Sequence, residues 1–506
     1  MSGPVFELAI ERPAPGGRDA VRSLLRQLRA AILDARLSPG AALPPTRSAQ
    51  AVFGVARNTA VEVYDRLAAE GLVVSRQGSG TRVSDPLPQR ADAARGQSAP
   101  AGPALNPLWL DPAILADIGF WRSDEEDPHV DPSAPPTDFR PALVDPALFE
   151  HAAFRRLMAQ QLRGAERQPA SNRSPQGRAG AWRLRDAIAR HIAVTRAVVC
   201  RPEEVMVTAG AQQAFDLLAR TLVPHPGAVV AVEDPGYPPL RAAFRAAGAR
   251  LVPVPVDSEG MRPQDIPAAA RVICLSPSHQ FPLGVTMSRA RRAELIALAQ
   301  ARGAAIVEDD YDGEFRYDGA PLDALRSRDE AGVVFYVGTF SKCMLPSLRL
   351  GFVIAPAWAR PALIAARNCA DWHSPTPIQA ATAAFIAQGL LTRHVRKLRR
   401  LYQARRRLVL EALAGPLSPW LEPIPSVYGL HVSAYARPGV DCDAAARALL
   451  RRNVRVHSLS RYYLAGEGRQ GLVFGYGAAS EAQIARGLAE LGSWLFGRDE
   501  AMEPAL

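Results

Sequence analysis

The stretch Gly338-Thr-Phe-Ser-Lys342 follows the apolar, strand-like run 333–337 and contains one of only two lysines in the chain. All the other residues that carry a permanent positive charge are arginines. A guanidinium stays protonated, whereas a primary amine that loses its proton can attack an aldehyde and form a Schiff base. We therefore expect Lys342 to carry out amine chemistry at the end of a strand. The second lysine, Lys397, lies in the basic stretch 393–407 and is interpreted as an exposed surface residue.

Length and composition limit the classes of protein to consider. A chain of 506 residues is too long for one hydrophobic core, so two or more domains are expected. No apolar run is long enough to cross a bilayer, and residues 1–15 lack the pattern of a signal peptide. The five scattered cysteines give neither a disulfide framework nor metal-ligand spacing. We expect a cytoplasmic protein without a metal or a membrane partner, and the net charge of +10 permits a polyanionic one.

Residues 18–84 have the pattern of a winged helix-turn-helix domain. Apolar residues at helical spacing, followed by two short strand-like runs, predict three helices and a hairpin. The predicted elements cover residues 21–32, 46–54, 57–70, 72–76 and 81–83. Thr46 is interpreted as the N-cap of the second helix, and Gly71 follows the third.

Helix-turn-helix domains place the N-terminal end of the second helix of the motif in the major groove of DNA. In this chain that end is Arg57, followed by two polar residues. The predicted wing has a Gly-Ser-Gly tip beside Arg76 and can approach the phosphate backbone closely. Any one of these arginines is equally consistent with an ordinary solvated side chain, but the set predicts contacts to double-stranded DNA. The predicted contact residues are Arg47, Arg57, Asn58, Thr59, Arg76, Gly78, Ser79 and Gly80.

The rest of the chain predicts a linker and a large α/β domain. Residues 85–137 are predicted to form a flexible linker, because they are rich in proline, small residues and acidic residues. From 138 to 497, short apolar runs alternate with helical stretches, which is typical of a mostly parallel sheet buried on both faces. Ligands of such sheets bind at the carboxyl ends of the strands.

Polar segments follow four of these apolar runs, and they are 208–213, 233–237, 308–311 and the segment 338–342 that contains Lys342. Small residues in 208–213 begin a helix, so its backbone N–H groups can hold a phosphate. The segment 308–311 offers a carboxylate to a pyridinium nitrogen and a phenol to the neighbouring ring oxygen. The segment 233–237 presents a tyrosine ring, and Arg349 can bind a phosphate through two N–H groups. Each segment is a weak signal by itself, but with Lys342 they point to one chemistry.

These segments, together with Ser276-Pro-Ser-His-Gln-Phe-Pro-Leu-Gly284, strongly resemble the fold-type I aminotransferases. Leu43-Pro-Pro-Thr-Arg47, Gly54-Val-Ala-Arg-Asn-Thr59 and Gly78-Ser-Gly-Thr81 resemble the winged-helix domains of GntR-type repressors. The order of winged helix, linker and aminotransferase-like domain resembles the MocR-type GntR regulators over most of residues 18–497. The resemblance implies an α+β winged helix-turn-helix followed by an α/β fold-type I PLP-dependent transferase-like domain with a mostly parallel sheet.

The resemblance also implies which residues bind pyridoxal 5′-phosphate (PLP). Lys342 would form the Schiff base and Tyr237 would stack on the ring. Asp309 would bond the pyridine nitrogen and Tyr311 the 3-oxygen, with the choice of Asp309 over Asp310 resting on the register of the motif. The residues implied around the phosphate are Ala211, Gln212, Thr339, Ser341 and Arg349.

The sequence departs from the family at several positions. Ala56 stands where these winged helices usually have a serine, and Asn172 stands where an aromatic residue often reaches the phosphate of the partner subunit. Pro239 and the run 477–479 occupy places where relatives that sense amino acids can have arginines. We therefore expect an effector without an α-carboxylate, such as PLP itself. The alternative is a carboxylate bound by one of two other arginines, Arg437 or Arg461.

The leading prediction is a cytoplasmic bacterial homodimer that binds PLP, an operator with paired half-sites, and a small-molecule effector at the cofactor site. The effector class is PLP, an amine or an amino acid, and the protein would lie on the nucleoid when bound to DNA. One alternative is an active aminotransferase with an attached DNA-binding domain. Another is a repressor whose large domain only dimerises, with Lys342 a relic. The missing arginines disfavour an efficient transaminase, although a residual transaminase half-reaction stays open.

Overall fold

The computed structural model describes residues 20–76, 80–85, 106–121, 136–165, 177–318, 323–466 and 468–502. The chain divides into two units, one ending at residue 105 and the other beginning at residue 106. Within the described ranges, no helix combines the length and apolar character needed to cross a membrane.

The first unit is a three-helix domain with a two-stranded antiparallel hairpin. Its elements are α1 (Ala20–Leu33), α2 (Ala49–Phe53), α3 (Arg57–Ala69), β1 (Val73–Arg76) and β2 (Gly80–Val83). The helices bury Leu28, Phe53 and Leu67 in one apolar core. The predicted winged helix-turn-helix is thereby confirmed. The predicted N-cap at Thr46 is wrong, because Thr46 begins a 3-10 turn and Ser48 precedes α2.

The second unit contains eleven helices and fourteen strands among the described residues. The helices are α4 (Pro112–Ile118), α5 (His151–Ala165), α6 (Trp182–Arg196), α7 (Ala211–Leu222), α8 (Pro238–Ala246), α9 (Arg289–Arg302), α10 (Arg360–Ala370), α11 (Thr376–Ala387), α12 (Leu390–Ala414), α13 (Cys442–Arg451) and α14 (Glu481–Met502). The strands are β3 (Thr137–Asp138), β4 (Val205–Thr208), β5 (Val229–Asp234), β6 (Arg250–Asp257), β7 (Gly260–Met261), β8 (Ala270–Leu275), β9 (Ala305–Asp310), β10 (Val334–Thr339), β11 (Gly351–Ile354), β12 (Leu421–Pro423), β13 (His431–Ala436), β14 (Val454–Arg455), β15 (His457–Ser458) and β16 (Gly471–Gly475).

Eight strands form one mixed sheet in the order β4-β11-β10-β9-β8-β5-β6-β7. The neighbours from β10 to β6 run parallel, whereas β11 pairs antiparallel with both β10 and β4. Every residue of β9 and β10 is buried, which agrees with apolar cores on both faces of the sheet. The strands β4, β5, β8, β9 and β10 share one direction, so their carboxyl ends lie at the same edge.

A smaller sheet accompanies the C-terminal helices. Its strands follow the order β12-β13-β16-β15, all antiparallel. The 25-residue helix α12 contributes Leu398, Tyr402 and Val409 to the core that this part shares with the large sheet.

The linker predicted over residues 85–137 is too long, because residues 106–121 form a packed segment of the second unit. Asn106 and Asp111 cap two successive short helices, and each cap is followed by a proline. Ile114 and Phe120 are buried. Proline and small residues are typical of linkers, but in this segment the prolines occupy first-turn positions of helices, where they are tolerated. Much of the remaining linker, residues 86–105 and 122–135, lies outside the described residues.

Candidate functional site

A cavity of about 390 Å³ lies at the carboxyl edge of the large sheet. All nine residues predicted to contact PLP line it, although they come from five separate segments of the chain. Its walls are formed by Ile118, Trp121, Ala142, Ala211, Gln212, Tyr237, Pro239, Phe281, Asp309, Tyr311, Thr339, Ser341, Lys342, Pro346 and Arg349. The structure therefore brings the predicted site residues together in one place.

The alternation of side chains along β9 separates Asp309 from its two acidic neighbours. Glu308 accepts hydrogen bonds from the backbone N–H groups of Leu325 and Arg326. Asp309 faces the cavity, and its Oδ1 atom is buried without a hydrogen-bond partner among the described residues. Burial and the nearby Asp310 raise the pKa of Asp309 to about 8. A buried carboxyl group without a partner is costly, so this atom is suited to a ligand that carries an N–H group.

Lys342 projects into the same cavity three residues after β10 ends. Its Nζ donates a hydrogen bond of 2.5 Å to the carbonyl oxygen of Ala142. Desolvation by the surrounding walls lowers the pKa of Lys342 to about 8, against the opposing effect of Asp312 and Asp309. A substantial fraction of the amine is therefore neutral near physiological pH. Lys397, by contrast, has a side chain that is 62% exposed and pairs with Glu150.

Two tyrosines hold fixed positions in the walls. The hydroxyl of Tyr237 accepts a hydrogen bond of 3.3 Å from Nε1 of Trp121, and the ring meets Phe281 edge-on at 5.4 Å between centroids. The hydroxyl of Tyr311 lies 2.8 Å from Nδ1 of His279. These contacts fix the orientation of both rings and of their hydroxyl groups.

The remaining predicted residues lie together at one end of the cavity. Gly210 precedes α7 with φ of +79°, and a Cβ atom there would lie 2.9 Å from the guanidinium of Arg349. Arg349 donates to the carbonyl oxygen of Ala209 at 3.1 Å. The hydroxyls of Thr339 and Ser341 lie 3.0 Å apart. A helix N-terminus, two hydroxyls and a guanidinium are the groups that bind a phosphate in proteins.

Six lining residues were not among those predicted to contact PLP: Ile118, Trp121, Ala142, Pro239, Phe281 and Pro346. The first two lie in the segment that was interpreted as linker. The capped turns at Asn106 and Asp111 were the sequence signal that this segment is folded. Phe281 lies within the aminotransferase-like segment Ser276–Gly284.

Neither arginine considered as a carboxylate partner lines the cavity. Arg437 donates to the carbonyl oxygen of Ser418, and Arg461 lies over the ring of Phe120. Lys342 and Arg349 are the only basic residues in the walls, as far as the structure describes them. The run 477–479 offers no cation, and Gly477 is packed so closely against Leu143 that a Cβ atom would clash.

The DNA-reading residues predicted from the sequence lie partly within the described residues. Arg57 and Asn58 are exposed in the first turn of α3, Thr59 is half-buried, and Arg47 is exposed in the preceding 3-10 turn. Gly80 begins β2. Gly78, Ser79 and the side chain of Arg76 lie outside the described residues. Asn172 lies outside them as well.

The N-terminus of α3 has no side-chain cap. Ala56 occupies the N-cap position in an extended conformation, and its methyl group cannot accept a hydrogen bond. Because Ala56 stands where these winged helices usually have a serine, the departure leaves α3 without a side-chain N-cap.

Family models match both units of the chain. The model described as "Bacterial regulatory proteins, gntR family" matches residues 21–83, and that described as "Aminotransferase class I and II" matches residues 149–473. The fold and the two matches define a transcriptional regulator that joins a winged helix to an aminotransferase-like domain.

Full-length relatives have the same arrangement. The chain is 33% identical over 473 residues to the probable rhizopine catabolism regulatory protein MocR of Rhizobium meliloti, covering 93% of each sequence. It is 32% identical over 475 residues to the pyridoxine biosynthesis transcriptional regulator PdxR of Corynebacterium glutamicum, covering 92% of this chain and 94% of PdxR. This chain belongs to the MocR-type subfamily of GntR transcriptional regulators, as its motifs predicted.

Solved structures of aminotransferases resemble the second unit. An archaeal alanine:glyoxylate aminotransferase matches with a TM-score of 0.67 and 26% identity, covering 72% of this chain and 92% of the enzyme. The α-aminoadipate aminotransferase LysN of Thermus thermophilus, complexed with N-(5′-phosphopyridoxyl)-L-leucine, matches with a TM-score of 0.66 and 27% identity. That match covers 76% of this chain and 98% of LysN. The predicted fold class is confirmed.

Proposed function

We propose that this regulator binds PLP in the cavity at the carboxyl edge of the large sheet and that an effector acting there changes its affinity for DNA. The observation that carries the proposal is the unpartnered, buried Oδ1 of Asp309 in the same cavity as the amine of Lys342 and the guanidinium of Arg349. The three groups complement a pyridine nitrogen, an aldehyde and a phosphate. The chemistry of these residues therefore supports PLP binding independently of the family relationship.

Each wall residue has a defined task in this proposal. Asp309 holds the ring nitrogen, Tyr311 bonds the 3-oxygen, and Tyr237 covers a ring face. Lys342 supplies the nucleophilic amine, and bound PLP supplies an aldehyde that amines attack reversibly. The groups assigned to the phosphate are Ala211, Gln212, Thr339, Ser341 and Arg349.

The effector is proposed to be PLP itself or an amine without an α-carboxylate. The two basic residues of the described walls are both assigned to PLP, so a second anion would enter without a cationic partner. Desolvating an unpaired carboxylate costs several kcal/mol. Apolar and aromatic side chains, among them Ile118, Trp121 and Phe281, form much of the remaining wall. The same argument disfavours the alternative of an efficient aminotransferase, which must bind the carboxylate of an amino acid.

A panel of amines and amino acids tests this effector class. The PLP-loaded protein is titrated while its visible absorbance and its affinity for the DNA upstream of its own gene are followed. We expect amines such as 2-phenylethylamine to change both signals at lower concentration than phenylalanine, which adds only the carboxylate. A micromolar response to any common amino acid that also shifts DNA affinity would contradict the proposal.

DNA binding is assigned to Arg47, Arg57, Asn58 and Thr59, with the wing residues Arg76 and Gly78–Gly80. One winged helix makes few phosphate contacts, so we propose a homodimer that engages two half-sites. A groove between α5, α6 and α11 is lined by apolar and charged residues, and the exposed Trp182 and Val194 in it support burial of this face against a second copy. Sedimentation of the full-length protein with a single and with a paired half-site measures the number of subunits. It also measures how much the second half-site raises the affinity for DNA.

Borohydride reduction followed by peptide mapping tests cofactor binding directly. We expect one pyridoxyl label per chain, on Lys342. The variant Lys342→Ala should lose the label, and the matched control Lys397→Ala should keep it. A label on Lys397 in the native protein, or no label at all, would overturn the proposed site.

A further inference from the structure

The segment Asn106–Trp121 connects the N-terminal part of the chain to the wall of the cavity. Its helix α4 has seven residues, capped by Asp111, whose side chain accepts from the N–H of Ala113 at 2.8 Å. A helix of that length is not stable in water by itself. Its order therefore depends on the contacts that dock it against the second unit.

The first docking contact is a buried ion-pair cluster. Asp117 is only 6% exposed, and its two oxygens lie 3.1 Å from Arg241 and 2.5 Å from Arg245. Both arginines belong to α8, the helix that begins immediately after Tyr237. Arg241 also donates to the carbonyl oxygen of Tyr462 at 2.8 Å. Breaking a buried pair of this kind is strongly destabilising, so Asp117 fastens α4 to α8.

The second docking contact is at the cavity itself. Phe120 is buried and meets the ring of Tyr462 edge-on at 5.1 Å. Ile118 and Trp121 both line the cavity, and the indole N–H of Trp121 donates to the hydroxyl of Tyr237. The end of the segment thus contacts the tyrosine assigned to the cofactor ring.

We propose that Asn106–Trp121 is a sensor segment: Trp121 contacts the ligand in the cavity, and ligand binding strengthens the docking of α4 on α8. The inference rests on the proposed binding of PLP in that cavity. A ligand packed against Trp121 adds apolar contact to a marginal helix, so it raises the free energy of undocking. Only residues 86–105 lie between this segment and residue 85 of the first unit. Ligand binding in the cavity thereby changes how firmly the segment that continues toward the winged helix is docked.

Hydrogen exchange on the full-length protein tests the proposal, with PLP as the probe. Exchange of the backbone amides of residues 113–121 is measured with saturating PLP and after its removal, and loading is verified separately by visible absorbance. We expect at least tenfold slower exchange in the loaded wild type. A loaded protein with less than a threefold difference would overturn the sensor segment while leaving PLP binding intact. An absence of absorbance would instead overturn the proposed function, and this inference with it.

Substitutions distinguish the contribution of the ion pairs of Asp117 from that of Trp121 at the cavity. Trp121→Ala should reduce the PLP-dependent protection to less than threefold, and Trp121→Phe should restore part of it. Asp117→Asn should raise exchange about tenfold in both states, since the arginines would lose their carboxylate. Trp109→Ala is the matched control, because Trp109 belongs to the same segment but is 53% exposed and absent from the described cavity walls. Protection in Trp121→Ala equal to that in Trp109→Ala would contradict the role of Trp121.

Discussion

Asp309 and Asp310 are adjacent on β9, but only the carboxylate of Asp310 is paired with an arginine. Oδ2 of Asp310 lies 2.5 Å from Nε of Arg196 and also accepts a hydrogen bond of 2.6 Å from the hydroxyl of Tyr336. Asp309 points into the cavity with an unpartnered oxygen. Asp310 thus has a structural role, because its ion pair holds the end of the strand from which Asp309 points into the cavity.

This difference predicts opposite effects of two matched substitutions. Asp309→Asn should weaken PLP binding and shift its absorbance, because a neutral amide no longer favours a protonated ring nitrogen, while the thermal transition changes little. Asp310→Asn leaves Arg196 as a buried charge with a weakened partner and should destabilise the fold by about 3–5 kcal/mol. PLP titration and thermal unfolding of both variants measure the two effects. Equal PLP affinities for Asp309→Asn and the wild type would show that the register is misassigned.

The lowered pKa of Lys342 predicts how cofactor loading depends on pH. Only the neutral amine attacks an aldehyde, so the loading rate should rise as pH approaches the pKa of about 8 and level off above it. The neutral fraction of such a group grows about 50-fold from pH 6 to pH 8 and only about twofold more by pH 10. Stopped-flow absorbance after mixing with PLP measures this rate. A rate that keeps rising tenfold per unit up to pH 10 would indicate an ordinary lysine.

The uncapped N-terminus of α3 predicts a stabilising substitution. Ala56→Ser supplies the missing acceptor and should stabilise the winged-helix unit by about 1 kcal/mol. For a unit of this size that corresponds to about 4–8 °C in the melting temperature of its transition. The control Ala68→Ser, at an exposed position inside the same helix, should be neutral or slightly destabilising. Differential scanning calorimetry decides, and an unchanged or lower transition in Ala56→Ser would exclude a capping role.

The exposed first turn of α3 predicts where sequence-specific DNA contacts lie. Arg57→Ala should weaken binding to the specific operator by about 1–3 kcal/mol and leave PLP absorbance unchanged. Arg66→Ala is the comparison, since Arg66 lies on the same helix and pairs with Glu62. Anisotropy titrations with operator and scrambled DNA measure the difference. Specific binding of Arg57→Ala that is as strong as that of the wild type would place the recognition surface elsewhere.

The residues that line the candidate site could largely be predicted, because most of them lie in short segments that directly follow strands. Lys342, Asp309 and Tyr237 each follow an apolar run, and parallel strands bring their carboxyl ends to one edge. The choice between Asp309 and Asp310 depended on which face of β9 points to the cavity. Both faces are buried, so the sequence shows no alternation there.

The parts that were missed depend on contacts between distant segments. Trp121 reaches the cavity because Asp117 pairs with two arginines more than 120 residues later in the chain. No periodic pattern in residues 106–121 predicts such a contact. Likewise, the positions of Arg437 and Arg461 are set by the C-terminal part of the fold, and their spacing from Lys342 gave no indication that both lie outside the cavity walls.

The central claim is that a ligand in the cavity around Lys342 controls DNA binding by the same chain. The change in DNA affinity on PLP binding tests this claim most directly. Fluorescence anisotropy with the DNA upstream of the protein's own gene is recorded with and without saturating PLP, for the wild type, Lys342→Ala and Lys397→Ala. Allosteric coupling of about 1–3 kcal/mol predicts at least a fivefold PLP-dependent change for the wild type and Lys397→Ala, and none for Lys342→Ala. Identical affinities with and without PLP in a wild-type protein that visibly carries the cofactor would contradict the claim.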